Sequence, residues 1–174
     1  MRCFPVTIAG GAVSQWDDKS GQGNNATQGT GSKQPTTGAT TQNGKNVLDF
    51  DGGDTLVLPS DLYTLNNGDN TIFIVSATSL DTTEQRIINW TNSAGGSRLD
   101  IQYTSTSGQI QYVNRDAYNN QVTVSGLTKS DYNILTGRRN GTTQTISFNN
   151  GTETTNALAQ DSSGIDMVVI GSRS

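Results

Sequence analysis

From Asn46 onward the chain is a succession of short apolar runs, cut off by Gly, Asn, Asp, Pro, Ser or Thr before a helix could complete its turns. The runs fall at residues 47–50, 55–58, 71–78, 86–90, 98–103, 109–113, 121–124, 132–139, 142–148 and 167–171. Runs of this length at this spacing predict strands. The first two flank the turn Asp51-Gly52-Gly53-Asp54. Within 98–103, Leu99, Ile101 and Tyr103 alternate with Arg98, Asp100 and Gln102, which predicts one apolar and one polar face. Residues 71–78 (TIFIVSAT) are apolar at both parities, which predicts a central strand packed on two sides. Asn140-Gly141 and Asn150-Gly151 suit the centres of type I′ hairpin turns. No segment has convincing helical periodicity, although 80–86 or 156–161 could each hold one helical turn. Many short strands without helices mean a sandwich or barrel.

Composition narrows the partners. Charged residues make up 15% of the 174-residue chain, against about 25% in an ordinary domain. The polar surface is therefore built from Thr, Ser, Asn and Gln, which suits exposed sheet and tight turns. Net charge is −4 and Arg138-Arg139 is the one adjacent basic pair, so nucleic acid is not an expected partner. No apolar run approaches the ~20 residues of a membrane-spanning helix, and no membrane partner is expected. The first eleven residues lack a secretory apolar region, so the expectation is a chain not exported by a signal peptide, or one already trimmed. A single cysteine, Cys3, excludes an internal disulfide and fits folding in a reducing cytosol. Asn25, Asn89, Asn140 and Asn150 head N-x-T sequons, as expected by chance in a chain rich in Asn and Thr.

Residues 21–42 hold almost nothing apolar and read alone as a flexible linker. The residues around them suggest otherwise. Trp16-Asp17-Asp18-Lys19-Ser20-Gly21-Gln22-Gly23-Asn24-Asn25-Ala26-Thr27-Gln28 is followed by Gln34-Pro35, then by Asn43-Gly44-Lys45-Asn46-Val47-Leu48-Asp49-Phe50-Asp51-Gly52. This pattern resembles the opening of the concanavalin A-like lectin/glucanase (LamG-like) jelly rolls, in the versions found in bacteriophage virion proteins and large bacterial surface proteins. The hairpin from Leu135 through Gly151 also fits, and the likeness spans 13–171. The resemblance implies one domain, 1–174, an all-β jelly-roll sandwich of two antiparallel sheets, with 21–42 as a long ordered polar loop. Trp16 would anchor that loop by burial; the alternative is an exposed binding platform. Asp17, Asp18 and Ser20 can bond neighbouring amides.

With no histidine, imidazole chemistry and Cys/His zinc sites are excluded. No Gly-rich stretch is followed by the Gly-Lys-Ser/Thr of a phosphate loop. Glycoside hydrolysis needs two carboxyls about 5–9.5 Å apart. The two glutamates, Glu84 and Glu153, have no acid at strand spacing. Asp49 and Asp51 do share a parity, but they run into the Asp51-Gly52 turn. Asp49 to Asp54 and Asp17-Asp18 are ambiguous calcium candidates lacking the EF-hand spacing. No catalytic residue, metal ligand or cofactor is therefore expected. The candidate binding surface is the polar face of Arg98, Asp100 and Gln102, continued across the turn by Gln111 and Arg115 with Tyr118 nearby. Such a ladder could hydrogen-bond a sugar while the ring stacks on it; the alternative is an ordinary solvated sheet face.

The resemblance implies a non-enzymatic structural or adhesion module of a phage virion, such as a tail-fibre or head-surface decoration protein. Its partners would be copies of itself or other virion proteins, with cell-surface glycan as a further expected partner, and it would be made in a host cytoplasm. The rivals are an extracellular carbohydrate-binding module of a bacterial protein and, more weakly, a degenerate glycanase. In the resembling family, the stretch matching 167–171 is normally followed by one more apolar strand. The expectation is that residues 6–8 fill that place in cis, or that a neighbouring chain covers the edge.

Overall fold

A computed structural model describes residues 6–59, 62, 69–78, 83–92, 98–114, 120–157 and 166–173. Among these residues the strands are β1 Val6–Ala9, β2 Ala12–Trp16, β3 Ala26–Thr27, β4 Thr36–Gln42, β5 Lys45–Asp49, β6 Leu56–Leu58, β7 Asn70–Ser76, β8 Gln85–Thr91, β9 Arg98–Tyr103, β10 Gln109–Asn114, β11 Asn120–Ser125, β12 Asn133–Asn140, β13 Thr143–Phe148, β14 Thr154–Ala157 and β15 Met167–Arg173. Every pairing is antiparallel. The larger sheet has the order β11-β10-β9-β8-β15-β6-β3-β2-β4-β5, with β1 also paired to β2. The smaller has the order β14-β13-β12-β7.

The inner faces of the two sheets make the core. Trp90, Leu99, Ile101, Tyr103, Ile110, Tyr112, Val122 and Val168 meet Leu135 and Ile146 of the smaller sheet. Gly137 on β12 lies over β9, where an added Cβ would stand 2.7 Å from Ile101 Cδ1. The Tyr103 hydroxyl reaches across to Ser76, donating to its carbonyl at 3.1 Å. Burial, partly offset by the Ser76 hydroxyl at 3.0 Å and the Asn133 side chain, raises the phenol's pKa above 10.0. The Tyr112 hydroxyl is also buried, but finds no hydrogen-bond partner among the described residues. Its pKa is pushed up to about 12 by burial, against the attraction of Arg139.

Several expectations need correction. Residues 71–78 do not form a central strand: β7 ends the smaller sheet, with Phe73 72% and Val75 64% exposed. Its apolar residues at both parities reflect an outer face left uncovered by the described residues. The polar segment 21–42 is not all loop. It holds β3, a short 3-10 turn at Gly31–Lys33, and β4, a hairpin partner of β5. Strand β4 (TTGATTQ) is mostly exposed, so it is held by backbone pairing and carries no apolar alternation to reveal it.

The two Asn turns are each displaced by one residue. Asn149 (φ 49) and Asn150 (φ 58) are the central pair of the second, closed by Gly151 N–H to Phe148 O at 2.8 Å. Around Gly141 the pairing of Asn140 with Thr143 leaves Gly141-Thr142 central, and of those two Gly141 alone has positive φ. That places glycine first, as in type II′ rather than I′. Asn156 and Ala157 belong to β14, and Gln85 and Arg86 to β8, rather than to helical turns; 80–82 and 158–161 lie outside the described residues.

The strand at 167–171 also departs from expectation. β15 is interior, paired with β6 across residues 168–170 and with β8 along its length. Residues 6–8 instead fold back on β2 as an outer hairpin strand. Position 171 has φ +72, and a Cβ there would stand 2.3 Å from the Phe50 ring, so glycine alone fits.

The contrasting tyrosines give a test. Tyr103→Phe should cost about 1 kcal/mol, the net worth of a made hydrogen bond, whereas Tyr112→Phe should leave stability within about 0.5 kcal/mol. Urea unfolding of both variants checks this. A Tyr112→Phe loss equal to that of Tyr103→Phe would reveal a partner for the buried hydroxyl.

Candidate functional site

The polar face of β9 is where sequence placed the binding surface. The alternation is present, but the face is not solvated: Asp100 and Gln102 are both fully buried. Their side chains are engaged sideways, strand to strand. Asn89 Nδ2 of β8 donates to Asp100 Oδ1. Arg86 Nε stands 3.5 Å from Asp100 Oδ2. Gln102 Nε2 donates to Gln111 Oε1 at 3.3 Å, and Gln111 Nε2 to Thr123 Oγ1 at 3.1 Å. The result is a polar row across β8, β9, β10 and β11, linked from strand to strand. Gln111 is half-buried. The side chains of Arg98, Arg115 and Tyr118 lie outside what the structure describes. Arg86 and Asn89 belong to the row and were missed, because strand order is invisible before the sheet is assembled.

A second feature has an open geometry. A cleft of about 490 Å³ lies where the loop after β2 passes the ends of β6 and β15. Its apolar wall is Trp16, Ala26, Leu58, Leu62 and Ile170, and its polar rim is Asp17, Asp18, Lys19 and Asn24. Trp16 is fixed from below by β2, paired with Ala26 on β3 and Val6 on β1. It is half-buried, so it both anchors the loop and lines the cleft.

The rim is held by Asp18. Its Oδ1 accepts from Ser20 N at 2.7 Å, and its Oδ2 from Ser20 Oγ at 2.6 Å and Asn24 N at 3.0 Å. Asp18 N donates to Asn25 Oδ1 at 2.8 Å. Asp17 Oδ1 accepts from Gln15 Nε2 at 2.6 Å. These carboxylates are thus spent on turn geometry. The Asp51 turn behaves alike: Asp51 Oδ1 accepts from Gly53 N and Asp54 Oδ2 from Asp51 N. Burial raises the Asp54 pKa. Among the described residues, no three His, Cys, Asp or Glu side chains converge as metal ligands would. Glu153 is engaged by Arg138 Nη2 at 2.7 Å on the surface.

The cleft is open rather than enclosed, with an apolar wall beneath a polar rim. No family model matches the sequence, and no curated protein matches it. Among solved structures, the chain is similar to the CBM40 of the Ruminococcus gnavus IT-sialidase bound to alpha2,3 sialyllactose. The TM-score is 0.54 at 14% identity, over 62% of this chain and 66% of that one. The same CBM40 in a second structure gives 0.53 at 13% identity with the same coverage. Mouse laminin alpha1 chain, domains LG4-5, gives 0.47 at 10% identity, over 59% of this chain and 28% of that one. The chain thus spans just under two thirds of the CBM40 chain. The likeness shows the fold, a concanavalin A-like jelly-roll sandwich of two antiparallel sheets.

The Asp18 anchor has a pH signature. Bonds from the Ser20 hydroxyl, then from the Ser20 and Asn24 amides, hold its pKa below 3.8. A depressed carboxylate adds stability above its unfolded pKa and loses it as pH falls through the folded value. In an NMR acid titration, the Ser20 and Asn24 amides should move together with a midpoint below 3.8. A midpoint at or above that value would remove Asp18 as the anchor.

Proposed function

We propose that this chain is a non-catalytic glycan-binding module whose site is the Trp16 cleft. The observation that carries the proposal is the half-buried indole beside an apolar wall, faced by a polar rim that includes Lys19 and Asn24. A pyranose has one apolar face for stacking and a hydroxyl edge for hydrogen bonds, and this cleft offers both. A neighbour of the same fold is a CBM40 bound to alpha2,3 sialyllactose, which supports the class of ligand. The extracellular carbohydrate-binding reading is therefore preferred to the virion one. The two carboxylates at the cleft rim, Asp17 and Asp18, are engaged in turn hydrogen bonds, which supports binding over hydrolysis there.

Binding of alpha2,3 sialyllactose and of a glycan array tests the site. Lys19→Ala and Asn24→Ala should weaken the recognised glycan about tenfold each, the worth of one good polar contact. Arg98→Ala with Arg115→Ala should change it little. The reverse pattern would move the site to the ladder. Absence of glycan binding across the array would sink the proposal.

Incubation with β-glucan, agarose or alginate should release no reducing sugar. Release that disappears on Glu84→Gln, Glu153→Gln or Asp49→Asn would restore the enzyme reading.

The virion assembly reading, as a tail-fibre or head-surface part, has one specific observation in its favour: the exposed apolar residues of β7. Neighbouring genes separate the two, since capsid and tail genes accompany one and polysaccharide or secretion genes the other.

A further inference from the structure

Strand ends of a sheet are normally blunted by charge, proline, bulges or brevity, because unpaired backbone groups invite another strand. The sheet ends of this fold follow that rule, with one exception. β5 carries Lys45 and Asp49. β1 has four residues and a register shift between Thr7 and Ile8. β11 and β14 close on each other, Asn156 Nδ2 donating to Gln121 O at 2.9 Å. β7 is different: seven residues, uncharged, without proline, and regular in its pairing with β12 from Asn70 to Ser76. Among the described residues, β12 is its one strand partner.

The side chains of β7 add to this. Phe73 and Val75 point outward, and Ile134, paired with Val75, is 46% exposed beside them. Ile72 and Ile74 point inward yet are only half-buried. An added strand would cover both sets.

The residues select the occupant. An antiparallel copy of β7 centred on Phe73 sets Phe73 against Phe73, Thr71 against Val75 and Ile72 against Ile74. Outward meets outward and inward meets inward, with no charge opposed, and of the face-matched registers this one pairs all seven residues of both strands. We propose that β7 pairs with β7 of a second copy of this chain, forming a two-fold dimer with one continuous eight-stranded sheet.

Light scattering after size exclusion tests this on the full chain, from about 1 to 100 µM, because the dimer must grow with concentration. The expected result is a mass rising to twice 18.4 kDa. Phe73→Lys and Val75→Lys, both at exposed positions, should each hold the chain at monomer mass while keeping a cooperative unfolding transition. Ile8→Lys, at an exposed apolar position on β1, should leave the dimer intact. Should either lysine variant fail to fold, amide exchange of the unaltered chain decides: protection of residues 71–76 must rise with concentration. A wild-type monomer throughout the range overturns the proposal. So does a dimer that survives Phe73→Lys or is lost in Ile8→Lys. A monomer in which Phe73→Lys abolishes glycan binding also overturns it, and assigns the face to sugar.

Discussion

The larger sheet is joined at β15. One of its edges pairs with β8 and the other with β6, so this strand ties the β8–β11 half to the half built from the first 58 residues. Both faces of the protein hang on the joint. Inward, Val168 enters the core and Ile170 walls the cleft. Outward, Val169 is buried beside Asn89, the partner of Asp100. The joint is exacting, since the backbone at position 171 turns to positive φ against the Phe50 ring and leaves no space for a side chain.

The polar row on the other face has a structural logic of its own. Buried amides and a buried carboxylate are costly unless bonded, and here neighbouring strands supply bonds to Asp100 Oδ1, Gln102 Nε2 and the Gln111 amide. Asn89, Gln102, Gln111 and Thr123 are neutral, and among the described residues the row's ion pair is Arg86 with Asp100. A slip of one residue in β9 would turn Asp100 into the apolar core, so the row also fixes register. Removing one partner of a buried charge pair costs far more than the pair itself contributes.

Much of this was legible in the residues. Where an apolar run was present, the strand was there: the bounds of β9 match, and β8, β10, β11, β12 and β13 shift by a residue or two. What escaped was whatever hydrophobic alternation does not encode. β4 is a threonine strand with nothing to bury. The position of β7 at a sheet end depends on strand order, which no local pattern contains. Burial of Asp100 and Gln102 depends on what neighbouring strands offer, and a polar letter in an alternating run looks the same solvated or enclosed. The cleft was half visible: Trp16, Asp17 and Asp18 stood out, whereas Leu58 and Ile170 come from strands distant in sequence.

The wall contributed by Ile170 has a consequence in time. β15 must find β6, more than a hundred positions earlier in the chain, and long-range antiparallel closures of this kind are the slow part of folding. Without β15 in place the Trp16 loop would face a gap rather than a wall. A ligand for the cleft would therefore act as a clock: it would ignore collapsed or half-assembled molecules and register only those in which the late-arriving strand has docked.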